Sequence, residues 1–194
     1  MWDGKQRMDT YDYMTYEEFG RNFFEIAVTE ERVAAAFAAI AGDRFEMGPM
    51  GQGPGKIAKV TAQVTVQQPQ VKRNVGDTIT FAVRIPLTID LVIDLRIDKQ
   101  RFTVRGDIAL RATARAAEPL LLVIDVAKPG PSDITVDVSS KSIRGAVLRI
   151  VADVDAEIRR FIAKHVADQI DTPEAQAAKI IDVAERLDAA WTGS

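Results

Sequence analysis

Between residues 79 and 97 every second side chain is large and apolar: Ile79, Phe81, Val83, Ile85, Leu87, Ile89, Leu91, Ile93, Leu95 and Ile97. Strict alternation puts all of them on one face of a β-strand, whereas a helix would scatter them around its circumference. At ~3.3 Å per residue the stretch reaches roughly 60 Å, several times an ordinary strand, so it predicts one very long bent strand or two in phase. The opposite face carries Thr80, Arg84, Pro86, Thr88, Asp90, Asp94, Arg96 and Asp98, with only Ala82 and Val92 apolar. A sheet this one-sided needs a cover, and what supplies the cover is the functional question.

The same alternation occurs at Val60, Ala62, Val64 and Val66 and continues towards a turn at Asn74-Val75-Gly76-Asp77. After a hairpin at residues 98–101 the apolar phase moves to even positions: Phe102, Val104, Ile108, Leu110, Ala112 and Ala114. Gly106 interrupts this run, which suits a bulge or a sharp bend. Residues 120–126 read as another strand, and Ile134, Val136 and Val138 as a fifth. Consecutive strands joined by short turns predict an antiparallel meander. Upstream, Thr15-Tyr16-Glu17-Glu18 has the form of a capping box, and Thr29-Glu30-Glu31 opens a second helix that Gly42 stops. The segment Gly48-Pro49-Met50-Gly51-Gln52-Gly53-Pro54-Gly55 reads as a loop. Residues 1–14 read as a flexible arm ahead of one domain over 15–194.

The last third changes period. Val147, Val151, Val154, Ile158, Phe161, Ile162 and His165 or Val166 recur at three- and four-residue steps, predicting an amphipathic helix of about 25 residues. Thr172-Pro173-Glu174 starts a terminal helix carrying Ala177, Ile180, Ile181, Ala184, Leu187 and Trp191. The expected fold is therefore α+β: a long, strongly curved antiparallel meander sheet wrapped around or packed against a long amphipathic C-terminal helix, with N-terminal helices.

Composition excludes several function classes. The net charge of −3 comes from interspersed acids and bases, so no basic patch marks a nucleic-acid partner. The absence of cysteine removes disulfides, thiolate catalysis and thiolate-bound metal. With no apolar stretch near the roughly 20 residues of a membrane span and no signal-like start, a cytoplasmic location is expected. Asp90, Asp94 and Asp98 recur every four residues, about 13 Å apart along a strand and too far to share a metal or a proton. Asp153, Asp155 and Glu157 diverge around their helix. His165, the only histidine, shares a face with Ile158, Phe161 and Ile162, so a packed imidazole is the simpler reading than a base. Ser139-Ser140-Lys141-Ser142 has the ingredients of a Ser–Lys hydrolase, but helix capping by Ser142 explains it more simply. The 48–55 glycines run into Lys56-Ile57-Ala58, which lacks the Ser or Thr that follows the lysine at the end of a phosphate loop. Neither a catalytic group nor a cofactor is expected.

Between residues 57 and 139 the only aromatics are Phe81 and Phe102; the remaining greasy positions are aliphatic. Seven of the chain's thirteen aromatics instead lie within the first 24 residues. A smooth aliphatic face without fixed polar groups suits a flexible acyl chain. Thr29-Glu30-Glu31-Arg32-Val33 in an N-terminal helix, the long strand over 80–97, and Val154-Asp155-Ala156-Glu157-Ile158-Arg159-Arg160-Phe161-Ile162 in a long helix together resemble, in layout, the tubular lipid-binding superfamily. Its relatives include the bactericidal permeability-increasing protein and the synaptotagmin-like mitochondrial lipid-binding domains. The resemblance implies a non-catalytic protein that holds lipid between helix and sheet and pairs with a second copy. Without a signal peptide or cysteines this chain is closer to an intracellular carrier than to the secreted branch.

The expected ligand is an apolar small molecule or lipid. Its expected lining is Ile85, Leu87, Ile89, Leu91, Ile93, Val104, Ile108 and Leu110 from the sheet, with Ile158, Phe161 and Ile162 from the helix. Leu91→Arg is then expected to abolish lipid carriage. Phe19, Phe23 and Phe24 offer a transient membrane contact, although packing across the sheet explains the same stripe. Two alternatives remain open. One is an assembly protein whose apolar sheet or aromatic N-terminal helix docks a partner; the other is a small enzyme in which His165 or Asp94 points into a tunnel.

Overall fold

Thr15 starts α1 (Tyr16–Ala27) through a reciprocal cap: its hydroxyl accepts from the Glu18 amide at 3.2 Å while its own amide donates to the Glu18 carboxylate at 2.8 Å. The chain breaks at Val28 and Thr29, then resumes as α2 (Glu30–Ala38), and Gly42 at φ +92° turns it towards the sheet. The computed structural model describes residues 11–192 apart from 39, 53, 57, 96 and 138–145, with the backbone alone at 54 and 146–153. Expectations placed on Trp2 and most of the 1–14 arm, on Val138, on the Ser–Lys segment 139–142, on Arg96, and on the side chains of Val147, Val151 and Asp153 lie outside the described residues.

Eight antiparallel strands form one curled half-barrel sheet: β1 (Arg44–Gln52), β2 (Ala58–Val66), β3 (Gln70–Val75), β4 (Ile79–Asp94), β5 (Lys99–Ala117), β6 (Leu121–Val126), β7 (Ile134–Asp137) and β8 (Ile180–Asp182). The 16-residue β4 and 19-residue β5 are its spine, paired without a register shift from Thr80↔Thr113 to Asp94↔Lys99. Twist accumulates along strands this long, and each outer edge of the spine is shared by two short neighbours. On β4, β3 takes the Ile79–Arg84 half and β2 the Leu87–Asp94 half. On β5, β7 pairs with residues Arg105–Ile108 and β6 with Ala112–Ala117. The order is therefore not a simple meander, because β7 returns to β5 and the late strand β8 closes on β6.

Pro86 explains how a proline survives inside this spine. Its carbonyl accepts from the Gln67 amide at 2.8 Å, so its ladder side faces the gap between the end of β2 and the start of β3. The missing proline N–H is thus on the side away from β5 and interrupts no bond of the β4–β5 ladder. Gly106 behaves differently from expectation. The register runs through Leu87↔Gly106 without a bulge, and a Cβ there would meet the Thr135 carbonyl at 2.7 Å, so glycine is what lets β7 close on β5.

Two sequence readings are corrected. Residues up to Gln52 are strand β1, not loop, with the register slipping between Met47 and Met50; an edge strand tolerates proline and glycine at such a slip. The terminal helix is broken: α4 (Pro173–Ala178) gives way to β8, and α5 (Val183–Thr192) follows. The break arises because the sheet edge captures Ile180 and Ile181, with the Ile124 amide donating to the Lys179 carbonyl and the Val183 amide to the Leu120 carbonyl. The helices that end the chain are thus short, of 6 and 10 residues.

The inner face of the sheet is covered by α3 (Ala146–Ile170), which buries Val154, Ile158, Ile162 and Ala163. Its outer side carries the Asp155–Arg159 and Lys164–Asp168 pairs, each four residues apart. Among the described residues no buried residue is polar or charged. No helix among them is long and apolar enough to cross a membrane.

Candidate functional site

Inward-facing aliphatic residues of β4 and β5 meet two different environments. Leu87, Ile89, Leu91, Ile93 and Val104 are at most 2 % exposed and join Ile158 and Ile162 of α3 in one filled cluster. Beside the last turns of α3, by contrast, the cover thins and leaves a cavity of about 480 Å³. Ile85, Ile108 and Leu110 form its floor, β6 adds Leu122, Ile124 and Val126, and α2 faces them with Val33 and Phe37. Phe37, Ile40, Ile124, Val126 and Val166 are only half-buried, as expected for side chains without a complete set of neighbours.

Of the eleven lining residues expected from sequence, the structure therefore brings Ile85, Ile108 and Leu110 to the cavity. These three belong to the same buried cluster as Leu87, Ile89, Leu91, Ile93, Val104, Ile158 and Ile162, which do not border the cavity, and Phe161 is half-buried at its margin. Sequence reasoning missed the contribution of α2 and β6. Their apolar positions were legible as a helical stripe and a strand, but nothing local says that both end beside one opening.

His165 stands at the cavity wall. Its ring stacks on Phe45 at 4.0 Å between centroids, with Phe161 at 6.3 Å, so the packed reading of this histidine describes its surroundings. Burial pulls the imidazole below its ordinary pKa, while the Asp168 and Asp43 carboxylates act in the opposite sense. The acidic residues of β4 sit on the outer face. Asp90 accepts from the Thr103 hydroxyl at 2.6 Å, and Asp94 pairs with Lys99 at 3.3 Å. Among the described residues no three His, Asp or Glu side chains converge as a metal site requires.

A second hollow, of about 960 Å³, lies against the outer face and is bordered by Lys72, Arg84, Asp107, Arg111, Lys128 and Asp133. Its mixed charges, including the Arg84–Asp107 pair at 2.7 Å, belong in water. The aliphatic cavity on the inner face is the better candidate for a ligand, since burying apolar area drives binding there. Comparison with protein-family models and with curated proteins finds no match to the chain.

Proposed function

We propose that the chain is a non-enzymatic binding or carrier protein for a lipid or other elongated apolar small molecule, held between the sheet and the helices. The observation that carries this reading is the 480 Å³ cavity with an aliphatic floor at the end of α3. Its volume falls within the roughly 300–1,000 Å³ of small-molecule sites, and burial at ~25 cal/mol per Å² would supply the driving force. The resemblance of the sequence layout to the tubular lipid-binding superfamily is in keeping with a ligand of the same kind. Native mass spectrometry of the purified protein, followed by organic extraction, tests it. A stoichiometric apolar adduct is expected, on isolation or after exposure to mixed lipids; a bare mass under both conditions would remove the carrier reading.

One observation favours a second reading, assembly through α1. Tyr16, Phe19 and Ile26 are 97 %, 59 % and 74 % exposed on that helix, an apolar stripe larger than a solvated helix needs. A dimeric mass that reverts to monomer in Phe19→Glu, with no small molecule extracted, would support assembly in place of carriage.

A further inference from the structure

We infer that the molecule this cavity takes is a single-chain amphiphile with an anionic head, in its simplest form a long-chain carboxylate. The inference rests on the binding reading above and gives that site a ligand class. Polar and apolar lining are segregated. Every residue that β2, β4, β5 and β6 contribute is aliphatic, whereas the charged and polar groups come from the helical rim: Arg32 of α2, Asp43 after it, His165 and Gln169 of α3, and Lys179 between α4 and β8. Arg44 also borders the cavity, but alternation with the inward Phe45 and Met47 sends its side chain to the other face. The rim thus sets two cations against one carboxylate.

Both cations border the rim where an entering molecule would leave its head. The Arg32 guanidinium donates from Nη1 to the Ala27 carbonyl at 2.7 Å, which pins it to the rim with further N–H groups to offer. Lys179 is tied to the sheet edge by its own carbonyl, which accepts from the Ile124 amide at 2.9 Å. Among the described residues neither side chain forms an ion pair. Lys179 is half-buried at the rim, so its stem lies against the cavity while its ammonium can meet an anionic head there. A chain lying on the aliphatic floor with its head at this rim satisfies both halves of the lining. A neutral apolar molecule satisfies only the floor. The volume of about 480 Å³ suits one chain and not the paired chains of a membrane lipid.

Competition for a neutral fluorescent probe, Nile red, separates this inference from the reading beneath it. Tetradecanoate and tetradecanol share a chain length and differ in head charge. Tetradecanoate is expected to displace the probe at about tenfold lower concentration, the scale of a charge-assisted hydrogen bond. Lys179→Gln, and Lys179→Gln with Arg32→Gln, are expected to erase that preference while leaving tetradecanol displacement unchanged, which also shows that the variants fold. Equal displacement by acid and alcohol, or a preference that survives both variants, would overturn the anionic head and leave an apolar carrier standing. Failure of probe, acid and alcohol alike to bind would overturn the carrier reading together with the inference.

Discussion

The two ends of the sheet's inner face are built from the same strands and the same aliphatic side chains, yet they differ in what lies above them. Leu87 to Ile93 face Ile158 and Ile162 and are sealed, whereas two residues earlier Ile85, with Ile108 and Leu110 across from it, floors a cavity. Side-chain chemistry is constant across that boundary; what changes is that α2, β6 and the last turns of α3 leave a hollow over Ile85, Ile108 and Leu110. Apolar alternation therefore marks which face leaves water, and the packing of the covering layer decides whether the space is filled or left for a ligand.

The strongest way to break the comparison is a charge at each end. Leu91→Arg places a guanidinium among residues that are fully buried, and it is expected to cost about 4 kcal/mol or more, a large share of the stability of a domain. Ile124→Arg borders the cavity and can lead its head out along the opening, so it is expected to fold with a midpoint only a few degrees lower. Thermal unfolding of the pair checks this, and equal losses would mean that both ends are equally filled. Lipid carriage lost in Leu91→Arg is then a consequence of unfolding and says nothing about lining. Truncation sharpens the same contrast: Ile89→Ala is expected to cost 2 to 5 kcal/mol, about the usual range for a filled core, and Ile124→Ala under about 1.5. Denaturant titrations with unchanged slopes would measure both.

Much of this architecture was readable from periodicity. The alternation gives β4 as far as Asp94, beyond which Ile97 leaves the buried face and is 97 % exposed; the phase shift after it gives β5, and the Thr15 capping box gives the start of α1, because each is a local pattern with a local cause. What failed depended on neighbours. Pro49 and the glycines around it suggest a loop, and only the position of β1 at the sheet edge makes a strand with a register slip acceptable. Ile180 and Ile181 fit a helical stripe, and only the free edge of β6 draws them into β8. The candidate site was legible as a face, through Ile85, Ile108 and Leu110. Its walls were not, because α2, β6 and the end of α3 meet there from distant parts of the chain.

Gly106 stands near the boundary between the two ends, opposite Leu87 and two residues before Ile108. In Gly106→Ala the new methyl would sit 2.7 Å from the Thr135 carbonyl and 3.4 Å from Ile89 Cδ1, so β7 or the filled cluster must shift. A cost of about 1 to 3 kcal/mol is expected, with the amides of Thr135 and Val136 exchanging faster than those of β4. Protection unchanged throughout β7 would show that this contact yields without strain, and the filled end would then be looser than its burial implies.

The smallest expected effect concerns acidity at the open end. Because burial against Phe45 holds the His165 pKa below its ordinary 6.5, the folded chain binds fewer protons there than the unfolded chain as pH falls. Stability associated with the neutral ring is complete above the unfolded pKa and is lost as pH drops from about 6.5 through the lower folded value. Asp168 and Asp43 favour the charged ring and so limit the loss. Thermal midpoints from pH 7.5 to 5 should therefore fall slightly more in the native chain than in His165→Phe, which keeps the stack on Phe45 and cannot protonate. Identical profiles would mean that water already reaches the ring freely. The partial cover that distinguishes this wall of the cavity from the sealed cluster under α3 would then be thinner still.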